Sequence, residues 1–422
     1  MQRITWCTIL FFCSLMVAAQ GNDDINVDEK RVGAFKLPAL LETTQGKTIH
    51  SVKDWEKLRR PQILSLYSQY VYGKMPGKPK GMHAVVHRLS DTVLNGKAIC
   101  KQITVYFTPG TDGPSMDVLL YLPKAFQKPV PVFTGLNFYG NQTVTDDPEI
   151  PVTTRWVMNH DQQITGNKAT GQTRGLQKNR WQVEMLINAG YGLATVYYGD
   201  LEPDFDSGWK EGVRGKLAAS IGIRPEEWSA MGAWAWGLSR LLDYLETEPA
   251  VDAEKVIITG HSRLGKAALW AAANDRRFAA VVSNNSGEGG AALFRRNFGE
   301  TVQRINTAFP HWFVPAFKAF NGRPDALPVD QHMLLSMVAP RPLYVASAQD
   351  DVWADPKGEF LAASYTAPVY RLYNKAALNN SDMPAVNQPV GFFVRYHIRT
   401  GRHDITAYDW EQYIRFANEL VK

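Results

Sequence analysis

GHSRLGKAALW, residues 260–270, is the stretch from which the fold is read. The segment VIITG (256–260) before it is a short β-branched run typical of a buried strand. From about Arg263 to Asn274 the spacing predicts a helix. Ser262 therefore stands at a strand-to-helix turn, with the helix's free N–H groups and positive dipole end beneath it. The second glycine of the motif, Gly265, comes one residue later than in G-x-S-x-G, and two cations, Arg263 and Lys266, follow the serine. A serine here could simply cap the helix. The strand–turn–helix setting points instead to a nucleophile.

Outward from this turn the chain alternates buried strands with helices. AAVVSNNSG (279–287), PRPLYVASAQDD (340–351) and FFVRYHI (392–398) read as strands, and ITAYDWEQYIRFANELV (405–421) as the closing helix. Upstream, 99–107, 116–123, 129–140 and a segment opening 189–206 also read as strands, the last running into an acidic loop. RPEEWSAMGAWAWGLSRLLDYLETEP (224–249) is the strongest helix, with Pro225 expected in its first turn. Such alternation implies an α/β class: a mostly parallel central sheet in a three-layer αβα sandwich. With a serine on the turn, this is the α/β-hydrolase layout. The polar, aperiodic stretch 141–181 is expected to be a functional insertion within one catalytic domain spanning 20–422.

The N-terminus has Arg3, an apolar run from Ile9 to Val17 and small residues at Ala18 and Ala19. That pattern predicts a secretory signal peptide over 1–19 and a secreted or periplasmic protein. Cys7 and Cys13 fall within it, so Cys100 alone would remain and no internal disulfide is expected. Net charge is +5 with the charges dispersed, which gives no footprint for nucleic acid. No later segment is apolar enough to suggest a membrane span, and nothing calls for more than a monomer. No Cys/His cluster has metal-ligand spacing and no second glycine-rich loop precedes a helix, so neither metal nor cofactor is expected.

A serine nucleophile needs a base, and the base needs an orienting carboxylate. In this layout the order is Ser…acid…His, with the histidine just before the last helix. His403, in TGRHD, occupies that place; His397 lies inside a strand, and His261 belongs to the turn itself. The acid should follow the strand PLYVASA, where Asp350 and Asp351 both stand.

G-H-S-R-L-G-K (260–266), S-N-N-S-G-E-G-G (283–290), Glu300, D-V-W (351–353) and G-R-H (401–403) together resemble the glucuronoyl esterases, carbohydrate esterase family 15. The resemblance covers most of the chain. It implies Ser262 as nucleophile, His403 as base and Arg263 as an addition to the oxyanion hole, with Lys266, Glu300 and Trp353 binding the uronic acid. Fungal members carry the catalytic glutamate at the position of Asn285, and an amide cannot stabilise an imidazolium. The resemblance to bacterial members therefore assigns the role to Asp351, with Asp350 and Glu288 as alternatives. The implied reaction is hydrolysis of the ester between (4-O-methyl-)glucuronic acid of glucuronoxylan and an alcohol, in lignin–carbohydrate fragments or methyl esters. Two rivals stand beside it: an acetyl xylan or other carbohydrate esterase, and a non-catalytic xylan-binding relative, suggested by Asn285.

Two cations beside an alcohol nucleophile have a physical reason. Attack on an ester places negative charge on the carbonyl oxygen, and a preorganised donor there contributes about 3–4 kcal/mol. Arg263 can supply a permanently charged fork. Lys266, one helical turn on from Ser262, faces the same side and suits sugar hydroxyls and an acidic product.

Overall fold

Runs of Val, Ile, Leu and aromatic residues form ten strands in the computed structural model, which describes residues 25–126, 129–378 and 382–422. The expected signal peptide at 1–19 lies outside the described residues. The strands are β1 (His83–Ser90), β2 (Ala98–Tyr106), β3 (Ser115–Pro123), β4 (Val130–Asn137), β5 (Gly192–Tyr197), β6 (Val251–His261), β7 (Ala280–Asn284), β8 (Leu343–Ala348), β9 (Val390–Gly391) and β10 (Val394–Arg399). They make one sheet in the order β1-β2-β3-β5-β4-β6-β7-β8-β10-β9. The six strands from β5 to β10 in that order run parallel, while β1 to β3 and the short β9 pair antiparallel.

Every residue of β4, β5, β7 and β8 is buried, as a parallel sheet covered on both faces requires. Alternate residues face opposite layers. On one side Val132 and Ile258 join Trp234 and Leu238 of α2 (Ala230–Leu245) and Leu269 and Trp270 of α3 (Arg263–Asn274), and Tyr67 of α1 (Arg60–Tyr70) belongs to the same core. On the other, Phe133, Ile257 and Tyr344 pack with Trp410, Tyr413 and Phe416 of α5 (Ala407–Leu420). These are the expected three layers. The remaining helix near the site is α4 (Pro356–Ser364), capped by Asp355 accepting from the Gly358 amide at 3.0 Å.

One boundary differs from expectation. Pro225 is not in the first turn of α2: Pro225–Glu227 form a separate 3-10 turn, and Trp228 and Ser229 are extended. The helix begins after Ser229, whose hydroxyl accepts from the Gly232 amide at 3.1 Å and donates to the Tyr72 carbonyl at 2.7 Å. Two good bonds at Ser229 outweigh the preference of proline for a helix start. Stretch 141–181 carries only short turns and one-turn helices, of which the last is Lys178–Trp181. Among the described residues no helix is long and apolar enough to cross a membrane.

Candidate active site

The turn after β6 is tight for a visible steric reason. A Cβ on Gly260 would meet the Leu264 carbonyl oxygen at 2.2 Å, and one on Gly265 would lie 2.9 Å from the Gly260 oxygen and 3.0 Å from Ser286 Cβ. The late second glycine is thus the residue that lets α3 press against both the strand end and the loop after β7. Ser262 itself is at φ 56°, ψ −132°, a conformation costing a non-glycine residue about 1–3 kcal/mol. Neighbours hold it there: its amide donates to Asn284 O at 3.0 Å, and its carbonyl accepts from the amides of Gly265 and Lys266 at 2.9 and 3.2 Å. The amides of Arg263 and Leu264 have no backbone partner among the described residues. They are the free donors of a helix start, where an oxyanion can be received.

His403 and Asp351 come from neighbouring parallel strands. The loops after β8 and β10 are stitched together by Gln349 N to Arg399 O at 2.8 Å and Asp350 N to Gly401 O at 3.0 Å. That register brings the Asp351 carboxylate to 2.6 Å from His403 Nδ1. The imidazole lies beside the elbow, its ring centroid 4.6 Å from that of His261. Asp351 is buried, while the His403 side chain is 40% exposed and open to an incoming substrate. Burial by itself would raise the Asp351 pKa; the hydrogen bond and charge of His403, with a bond from Asn285, hold it below its usual value.

Asn285 explains itself at this point. Its Nδ2 donates to the same Asp351 oxygen at 2.8 Å. It cannot hold an imidazolium, but it fixes the carboxylate that is paired with His403. Asp350 is exposed, and Glu288 is buried among Lys266, Glu300 and Asp330, with no contact to His403 among the described residues. Of the three acids weighed from sequence, Asp351 is the one brought to the imidazole. His397 is enclosed, bonded to Tyr344 and Asp409 at 2.9 Å each. His261 donates or accepts at 2.7 Å with Asn284 and is kept neutral by burial and by His403 beside it.

Arg263 is held by a residue that the sequence reading passed over. Its Nη1 is bonded to Asp204, and its guanidinium carbon sits 4.7 Å from the ring centroid of Trp312 and 5.5 Å from that of Phe309. Asp204 also accepts from Trp312 Nε1 at 2.7 Å and pairs with His311 Nε2 at 2.8 Å. Burial works against the Asp204 charge, yet Arg263 and His311 outweigh it and bring its pKa down to about 2. Arg263 is thereby kept charged against its own burial, and its Nε is buried with no hydrogen-bond partner among the described residues.

Lys266, Glu300 and Trp353 gather close to Arg263: the Lys266 Nζ is 6.0 Å from the centroid of the Trp312 ring that Arg263 also faces. Lys266 is buried and donates to the Ser286 carbonyl at 2.6 Å. Burial lowers its pKa, opposed by Glu300, Glu288 and Glu359. Burial raises the pKa of Glu300, opposed by Lys266, Arg263 and a side-chain hydrogen bond from Trp353. The Glu300 amide donates to Trp353 O at 3.0 Å, and the Trp353 ring is 38% exposed with the Arg304 guanidinium 5.2 Å from its centroid. A rigid, half-open indole beside a coupled acid–base pair can stack a sugar ring and hydrogen-bond its hydroxyls.

Sequence reasoning missed Asp204, His311, Trp312 and the buried Glu359. Asp204 had a signal: it lies in the acidic loop at the carboxyl end of β5, the sheet edge where α/β folds place ligands. Glu359 had none. It accepts from the amides of Ser286 and Gly287 at 2.8 and 2.9 Å and from Ser347 Oγ at 2.6 Å, tying α4 to the loop after β7.

A strained serine on a strand-to-helix turn, a histidine on the last loop and a carboxylate behind it define a serine hydrolase of the α/β-hydrolase fold. The family model described as "Glucuronyl esterase, fungi" matches residues 223–374. A carbohydrate esterase from an unknown prokaryotic organism is 45% identical over 396 residues, covering 93% of this chain and 91% of the relative. A 4-O-methyl-glucuronoyl methylesterase of Phanerochaete carnosa is 36% identical over 369 residues, covering 85% and 75%. Among solved structures, the glucuronoyl esterase from Solibacter usitatus superposes with a TM-score of 0.88 at 47% identity, over 94% of this chain and 100% of that one. The chain belongs to the glucuronoyl esterases of carbohydrate esterase family 15 and is a carboxylic ester hydrolase.

Proposed function

We propose that this chain hydrolyses the ester joining (4-O-methyl-)glucuronic acid of glucuronoxylan to an alcohol, with Ser262, His403, Asp351 and Arg263 as the catalytic groups. The observation that carries the reading is the Asp351–His403 pair at 2.6 Å beside an elbow flanked by a clamped arginine. Ser262 Oγ forms a bond to the ester carbon as His403 Nε2 takes its proton, and the carbonyl electron pair moves onto oxygen. The helix-start amides and the Arg263 guanidinium stabilise that oxyanion. Asp351 stabilises the imidazolium, which returns the proton to the departing alcohol. Water, deprotonated by His403, then attacks the acyl-enzyme and releases free uronate and Ser262.

Lys266, Glu300 and Trp353 would bind the uronate ring, Trp353 by stacking and the other two by hydrogen bonds to its hydroxyls. The chain is read as a secreted or periplasmic monomer with its catalytic domain over 20–422, acting on xylan and lignin–carbohydrate fragments. Support comes from the names of its relatives, a carbohydrate esterase and a 4-O-methyl-glucuronoyl methylesterase.

The test is alkali consumption on benzyl glucuronate and on an acetylated sugar, with wild type and Ser262→Ala. Serine-dependent turnover of the uronate ester is expected. Activity confined to the acetyl ester would move the function to an acetyl esterase, and silence on both to a binding protein.

A further inference from the structure

Away from the elbow, two adjoining cavities of about 350 and 540 Å³ open between β1–β3 and the loop 150–155. Thr104, Asp117 and Arg155 line both, so together they form one continuous groove. It lies at the sheet edge that carries the elbow: Val118 of β3 pairs with Val196 near the carboxyl end of β5. From β6 the sheet runs through β4 and β5 to β3 and then β2, which places the groove roughly 14–19 Å along the sheet from the serine at 4.7–4.9 Å per strand.

The groove is built before any ligand arrives. Its covering loop is tied down by Tyr197 OH to Trp156 O at 2.7 Å and Gln102 Nε2 to Glu149 O at 3.1 Å. On its floor His87 Nε2, Thr104 Oγ1 and Asp117 Oδ1 form a chain with links of 2.9 and 2.6 Å. The Asp200 side chain is only 4% exposed; its Oδ2 accepts from the Asp117 amide at 3.0 Å. Among the described residues no hydrogen bond reaches its Oδ1, from which Arg155 Nε lies 4.0 Å away. Burial and the neighbouring Asp117 raise the Asp200 pKa to about 8.

A buried carboxyl that lines a cavity of the 300–1,000 Å³ size class offers a hydrogen-bonding position to a ligand that enters it. Acids and Arg155 oppose one another across the groove, so it has no strong bias toward an anion or a cation. Threonine hydroxyls and a carboxyl that is mainly protonated near neutral pH both donate and accept. That is the pattern of a sugar's hydroxyls, and two joined cavities suit an oligomer rather than a single ring.

We propose that this groove binds neutral xylose residues of the xylan backbone, holding the polymer while its glucuronoyl branch occupies the catalytic site. The identity of the ligand as xylan rests on the proposed function above; the groove and its free carboxyl do not. Thr154 is exposed at the rim, so Thr154→Trp fills the mouth without disturbing the core, and Asp200→Asn keeps the shape while changing the donor–acceptor pattern.

Two measurements decide it. The first is titration of neutral linear xylo-oligosaccharides into Ser262→Ala, with and without Thr154→Trp. Saturable binding that Thr154→Trp weakens about tenfold is expected, one well-made hydrogen-bonded contact set being worth that much. Binding unaffected by Thr154→Trp, or no binding, overturns the proposal. The second is kcat/KM on polymeric glucuronoxylan ester against a small methyl glucuronate, for wild type, Thr154→Trp and Asp200→Asn. Loss on the polymer with the small ester unchanged is expected; equal loss on both, or none on the polymer, overturns it. If wild type fails on the small uronate ester, the proposed function falls, and the titration alone still decides whether the groove takes xylose residues.

Discussion

Two buried aspartates, Asp351 and Asp204, each hold a basic side chain next to the same serine, and they do it in opposite ways. Asp351 has one partner that titrates, His403, left 40% exposed on a loop. Asp204 has a partner that does not, Arg263; the carboxylate is itself held by His311 and Trp312, and the guanidinium lies over the Trp312 and Phe309 rings. The difference follows from the task proposed for each. A base must accept and give up a proton and meet the substrate, so its support comes from one side only. An oxyanion donor must stay charged and still while charge develops before it, so it is held by a buried carboxylate at Nη1 and by rings beside its guanidinium.

The largest expected effect is on the shared nucleophile: Ser262→Ala should lower kcat by about 10⁶-fold, as loss of a serine nucleophile does elsewhere. Breaking the rigid side comes next. Arg263→Ala should cost about 10²–10³ in kcat, read by uronate ester hydrolysis. Asp204→Asn should lose comparable activity and also about 3–5 kcal/mol of stability by urea unfolding, because it strands a buried guanidinium. If Asp204→Asn keeps its stability but loses activity, the clamp is electrostatic only.

The two acids also separate by pH. Asp204 titrates at about 2 when folded against an ordinary 3.8, so its stabilisation is present above pH ~4 and is lost as pH falls toward 2. An acid-side loss on the order of 2 kcal/mol, absent in Asp204→Asn, is expected in unfolding measurements. Glu359 behaves in the reverse sense. Burial lifts it to about 8 from an ordinary 4.5, so the folded state binds the extra proton and stability falls as pH rises through that window. Glu359→Gln should flatten the alkaline-side fall in Tm. The smallest effect is Asn285→Ala, which removes one donor to Asp351 and should cost about fivefold in kcat, with the pKa of the kcat profile displaced.

The contrast between the two aspartates also marks what was legible in the sequence. The elbow and His403 sit at fixed places in a local pattern of strand, turn and helix, so position pointed to them, whereas for the acid position left Asp350 and Asp351 open and only the family resemblance chose Asp351. The parallel strands were legible because their burial on both faces leaves continuous runs such as VIITG. β1 was not: it is an edge strand with no buried residue and half of its residues exposed, and HAVVHRLS is too short an apolar run to mark a strand. Asp204 and its aromatic cage depend on contacts between segments 59 to 108 residues apart, which no local spacing encodes. The glutamate-to-asparagine change at 285 was visible, but its meaning required the 2.8 Å bond to Asp351.

The most direct test of the account is uronate ester hydrolysis by Asp351→Asn, alone and combined with Asn285→Glu. The account predicts a fall of about 10⁴-fold for the single variant, with folding intact, since the amide leaves the imidazolium unsupported. Partial recovery in the double variant is expected, because the position 285 side chain adjoins the residue 351 oxygen that pairs with His403, so a carboxylate there lies near the imidazole. An Asp351→Asn enzyme with wild-type turnover would contradict it.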